Sequence, residues 1–190
     1  MSKLSRGSFA LLAAASIAGQ IGVAAACNYD GASSVSAKYP RAIEVAAALR
    51  DRSNAPVLDT RLVAPTFANM LGFHRAVRRL QRLRESLERA MHDQQLTGPG
   101  FSLLLVEAGL WTRYVPDGEG VSIMVHTAGP RPEGVVVLTG EAVVEAIASG
   151  RLAPDEAFRR GLIVVDGTAA AGRDVSVLLR ATLTMLADGP

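Results

Sequence analysis

From Phe73 to Ala90 apolar residues recur at three- and four-residue steps: Phe73, Ala76, Leu80, Leu83, Leu87 and Ala90. That is the stripe of a helix with one buried side. Thr97-Gly98-Pro99-Gly100 breaks the pattern, and strands follow. Phe101 to Val106 is an apolar run apart from Ser102, while Trp111 to Val115 alternates. Pro116 to Gly120 then has the composition of a hairpin loop into Val121 to Val125. Past a loop holding Pro130 and Pro132, the β-branched run Val135 to Leu138 restarts the sheet.

Two short helices and a returning strand come next. Val143, Val144, Ile147 and Ala148 are spaced for a helix that ends at Gly150. Pro154 stands where a first-turn proline is tolerated, beside Asp155 and Glu156, and this second helix closes at Gly161 before Leu162 to Val165. After Thr168 to Gly172 a last apolar segment places Val175, Leu178, Leu179, Thr182, Leu183 and Leu186 on neighbouring turns. The order predicts an α+β plan: about five strands in a largely antiparallel sheet, with helices packed on one side. Upstream, Arg41 to Arg52 has a weak helical pattern (Ile43, Ala46, Ala47, Leu49), and Asn54, Pro56 and Pro65 then interrupt regular structure. For residues 28 to 66, packing on the domain, docking a partner and neither all remain open.

The run G-R-L-x-P-x-x-A-F-x-x-G-L-x-V-x-G is carried by Gly150, Arg151, Leu152, Pro154, Ala157, Phe158, Gly161, Leu162, Val164 and Gly167. It resembles the C-terminal half of the sterol-carrier-protein type 2 family of lipid-binding domains. Upstream strands and the last helix agree with that family in order but not in residues. The resemblance implies an apolar tunnel between sheet and helices, with the last helix lying across its opening. It also implies non-catalytic binding or transfer of a lipid or similar apolar small molecule. The residues placed to line such a tunnel are Leu104, Val106, Val125, Ile147, Phe158, Leu178, Leu179 and Leu183. A shift of one residue in strand parity would exchange Leu104 and Val106 for Leu103 and Leu105. Relatives commonly carry an uncharged residue and then Gln where this chain has Arg159-Arg160. Facing the tunnel, Arg160 would pair with an acidic headgroup; facing water, it would only solubilise its helix. The alternative, from another class, is an exported accessory protein that uses the same fold with a filled core to bind a protein partner.

The chain has 190 residues, 49% hydrophobic and 20% charged, which suits a domain with a real core and argues against disorder. Aromatic residues are only 5%, so few rings exist to stack on bases or sugars. Residues 1–26 have the parts of an export signal: Lys3 and Arg6, an apolar segment from Phe9 to Ala26, and Ala24, Ala25 and Ala26 before Cys27. As a membrane span that segment is short, about 18 residues against the roughly 20 a bilayer needs. The boundaries expected are therefore 1–26 for the signal, 27–66 for a tether and N-terminal segment, and 67–190 for the sterol-carrier-like domain. Removal of the signal takes two bases and no acid, leaving 18 of each. The basic pI of about 9.0 is then no argument for a nucleic-acid partner.

Cys27 is the only cysteine, so no internal disulfide exists. Its place after three alanines resembles the acylated junction of bacterial lipoproteins, although Ala24 stands where that family usually has Leu. An acylated, membrane-anchored protein and a periplasmic or extracellular one with a free thiol both fit. Arg75, Arg78, Arg79, Arg82 and Arg89 lie largely off the apolar stripe of their helix. They form either a solvated face balanced by Glu85 and Glu88 or a basic surface for a membrane or a protein partner, each Arg contributing about 1 kcal/mol near anionic headgroups. His74, His92 and His126 have no metal-ligand spacing, and no nucleophile elbow or phosphate loop is present. Glu141 and Glu145, one helical turn apart, read as solvated like charges. No catalytic residue, metal or cofactor is expected.

Overall fold

The structure, a computed structural model, describes residues 39–63, 70–94, 98–118 and 120–189. The export signal, Cys27 and the start of the tether lie outside the described residues. Among the described residues five strands form one sheet: β1 (Phe101–Leu105), β2 (Leu110–Pro116), β3 (Val121–Val125), β4 (Val135–Thr139) and β5 (Val164–Asp166). Their order is β3-β2-β1-β4-β5, and every pairing is antiparallel except β1 with β4. The expected α+β plan with its largely antiparallel sheet is therefore present.

Most of the helical layer covers one face. The long helix α3 (Met70–Asp93) and the last helix α6 (Ala169–Ala187) pack on each other, with α4 (Glu141–Ala148) and α5 (Pro154–Arg159) beside α6. Ala76, Leu80, Leu83, Leu87 and Ala90 of α3 are all buried, as their spacing predicts, and Tyr114 on β2 donates its O–H to the Leu80 carbonyl at 3.1 Å. Helix α6 begins earlier than its apolar segment indicates. The Thr168 hydroxyl accepts from the Ala171 N–H, so Ala169 to Gly172 form its first turn.

Both short helices end in the same way. Gly150 has φ +70° and Gly161 φ +66°, a left-handed conformation that glycine adopts without a Cβ penalty. The Arg151 N–H reaches back to the Ala146 carbonyl and the Gly150 N–H to Ile147; Leu162 and Gly161 repeat the pattern onto Ala157 and Phe158. These are Schellman closures. The second one engages the Leu162 N–H, which explains why β5 starts at Val164 rather than at Leu162.

The structure adds a thinner layer on the opposite face. Helix α1 (Ala42–Arg50) leads through a 3-10 turn (Arg52–Asn54) to the short α2 (Thr60–Val63), which packs on α4. Ala42, Val45, Ala46 and Leu49 of α1 are buried in the same core as the rest, and α1 packs on β4. Ile43 is 58% exposed, so the buried side is rotated from the one its sequence pattern indicates. Tyr39, just ahead of α1, meets Trp111 edge-on at 6.0 Å and donates its hydroxyl to Asp166 at 2.7 Å. Trp111 pairs with Leu104, Leu104 with Leu138, and Asp166 with Val136, which places all of them on the face turned away from α3.

Candidate functional site

Cross-strand partners share a face, so the register decides which strand residues look toward the helices. Phe101, Leu103 and Leu105 do so, opposite Tyr114, Thr112 and Leu110. The strand parity expected above is thus reversed on β1. Leu104 is fully buried on the other face, and Val106, beyond the strand, is buried as well.

Between sheet and helices lies one enclosed apolar space. Leu83 of α3, Leu103, Val137 and Thr139 of the sheet, Val144 and Ile147 of α4, Ile163, and Leu179 and Leu183 of α6 surround it. Three of the expected lining residues, Ile147, Leu179 and Leu183, meet there. Leu178 is buried on α6 with its side chain near Gly98, and Val125 is half-buried on β3. Phe158 is half-buried with the Arg180 guanidinium 4.1 Å above its ring. The Thr139 and Thr182 hydroxyls are already bonded, to the carbonyls of Leu162 and Leu178. The space is small, about 10 Å³, which is room for one water, whereas pockets for small molecules run to about 300–1,000 Å³.

Arg160 is exposed and lies away from the apolar space. Its guanidinium bonds Glu156 on its own helix and donates to Asn54 Oδ1 at 3.0 Å, tying α5 to the 3-10 turn. Arg79 leaves the solvated face. It donates to Glu141 and, at 2.6 Å, to Glu145, so the two carboxylates read as solvated like charges instead share a cation with α3. Burial raises the Glu141 pKa, opposed mainly by the Arg79 charge. Arg89 donates to the carbonyls of Gly189 and Met185 and holds the end of α6. Arg75, Arg78 and Arg82 are exposed.

A second, open groove of about 470 Å³ runs between α3 and edge strand β3. Its polar groups hold one another: Arg84 donates to Glu88 at 2.7 Å, and Glu88 accepts from the Val121 N–H at 3.0 Å. Among the described residues no group of three or more His, Cys, Asp or Glu could hold a metal ion.

Sequence reasoning passed over Glu107, in the turn between β1 and β2. The residue keeps some exposed surface, yet its Oε1 is buried and has no hydrogen-bond partner. Burial pushes its pKa up to about 8, opposed first by backbone N–H groups of Glu107 and Glu141 that favour the charged form, with the Glu141 charge adding and Arg50 opposing more weakly. Gly140 is what lets it fit, since a Cβ there would stand 2.4 Å from Glu107 Oε1 and 2.7 Å from Leu49 Cδ2.

No protein-family profile and no curated protein matches the chain. One solved structure is similar, a conserved hypothetical protein from Thermus thermophilus described as a possible sterol carrier protein. It is 19% identical and covers 56% of this chain and 80% of its own, with a TM-score of 0.36. At that level the likeness carries no argument.

Proposed function

We propose that this protein binds, without chemistry on it, a lipid or similar apolar small molecule between the sheet and helices α3, α4 and α6. One observation carries the reading: Leu103, Val137, Ile147, Leu179 and Leu183 converge from sheet and helices on one enclosed apolar space. It lies against the last helix, where the resembled family has its tunnel. Affinity would come from burial of apolar surface, at roughly 25 cal/mol per Å². The bound state requires the space to widen, and outward displacement of α6 is the simplest route, because α6 contributes Leu179 and Leu183 to its wall. The reading places the protein outside the cytoplasm, supported by the signal-like residues 1–26, with Cys27 as the candidate anchor.

A second reading is favoured by the size of the space, about 10 Å³. In it the core is simply filled, and the fold presents a surface to a protein partner. Native mass spectrometry of the protein purified without detergent, followed by organic extraction, separates the two. A stoichiometric lipid supports the first. Empty protein that also takes up neither fluorescent fatty acid nor sterol leaves the second.

A further inference from the structure

The face of the sheet turned away from α3 is apolar where residues 39–63 cross it. Leu104 and Leu138 are fully buried there, and Trp111 is 4% exposed beneath Tyr39. Few polar links tie this segment down. Tyr39 bonds Asp166 at 2.7 Å with Arg41 3.8 Å from the same carboxylate; Arg160 bonds Asn54 at 3.0 Å, and Arg151 the Val57 carbonyl at 3.1 Å. Near the C-terminal end of α1, Leu49 and the Glu107 carboxyl meet over Gly140. Glu107 Oε2 accepts a long bond of 3.4 Å from the Glu141 N–H, and its buried Oε1 accepts none.

We propose that residues 39–63 form a pH-released strap over the Leu104, Trp111 and Leu138 face of the sheet, shut while Glu107 keeps its proton and loosened when it ionises. An ionised Glu107 would hold a buried oxygen with no donor, and burying a charge unpaired is costly. The charges facing it are Arg50 on α1, which attracts it, and Glu141 on α4, which repels it and is itself held by Arg79 with Arg75 near. Water reaches the carboxylate if Leu49 moves off Gly140, and Leu49 moves with α1. The packing of α3 on α6 does not pass through this contact. At the strap's other end stand Asp166, Arg41 and Tyr39; the Tyr39 hydroxyl is raised to about 12 by burial and by its bond to Asp166, outside the range concerned.

Trp111 is the only tryptophan in the chain, so its emission reports the strap directly. The experiment is a fluorescence titration of the full chain from pH 6 to 10, with far-UV circular dichroism on the same samples. The expected result is a red shift with a midpoint near pH 8, at nearly constant dichroism, that is absent in Glu107→Gln. Hydrogen exchange gives a readout that needs no variant. Relative to the intrinsic rate, amides of Ala46 to Arg50 should lose protection across this range while those of Leu103 to Leu105 keep it. No red shift by pH 10, the same shift in the variant, or a parallel loss of dichroism and of protection on β1 would overturn the proposal.

Discussion

Thr112 carries a fully buried hydroxyl with no hydrogen-bond partner, and it pairs with Leu103 on the face that the helices cover. A buried polar atom left unbonded costs roughly 1–3 kcal/mol, and an isosteric methyl removes that cost. Thr112→Val should therefore raise stability by about 1 kcal/mol, read as a higher chemical-denaturation midpoint. A lower midpoint would mean that the hydroxyl is bonded in solution. Arg79 presents the opposite case. Its side chain is 15% exposed and pairs with Glu141, which is 4% exposed. Arg79→Ala strands a buried carboxylate and should cost about 3–5 kcal/mol. Arg82→Ala, on the exposed side of the same helix, should stay within about 0.5 kcal/mol of the parent. Equal losses in the two variants would contradict the buried pairing.

Among the elements, those with one buried side were legible from spacing alone. The stripe of α3 and the inward set of α6 fall where their three- and four-residue steps place them, because one side of each helix meets the core. Gly150 and Gly161 were legible as helix ends for a local reason, the left-handed closure. That yields a paired prediction: Gly161→Ala should cost about 1–2 kcal/mol through its positive φ, whereas Gly172→Ala, inside α6 with open space at its Cβ, should gain roughly 0.5–1 kcal/mol. Thermal midpoints moving in the same direction for both would refute this account. Strand parity was not legible. Phe101 to Leu105 and Val135 to Thr139 are buried at every position, since α3 and α6 cover one face and α1 the other, so neither run alternates. Edge strand β3 does alternate. Two largely apolar strands side by side, with only Ser102 and Thr139 polar, were themselves the signal of a second covering layer, and reading them so would have assigned residues 39–63 to the domain. Glu107 offered no such signal, because a charged residue in a turn reads as surface.

On the scale of the whole molecule, the raised pKa of Glu107 becomes a statement about stability against pH. In the unfolded chain the carboxyl releases its proton near its ordinary value of 4.5, while in the folded protein it holds it to about 8. Between those values the native state binds the extra proton, so its contribution to stability is full below about pH 4.5, declines as pH rises and is gone above about pH 8. Glu141 is shifted in the same direction by burial, against its pairing with Arg79, and adds to the slope. Each excess proton contributes at most about 1.4 kcal/mol per pH unit. Other carboxylates act oppositely, since bonds to Arg61 and Ser53 depress Asp59 and Asp51, but what they contribute is present above their ordinary value of 3.8 and is lost only as pH falls below it, outside this range. The expected outcome is an unfolding free energy that falls from pH 5 to pH 8 in the parent protein and is flatter over the same range in Glu107→Gln. Urea titrations at pH 5, 6.5 and 8 measure it. A parent stability that rises with pH, or a variant whose slope equals the parent's, would mean that Glu107 is already ionised in the fold and that Arg50, rather than a proton, balances it.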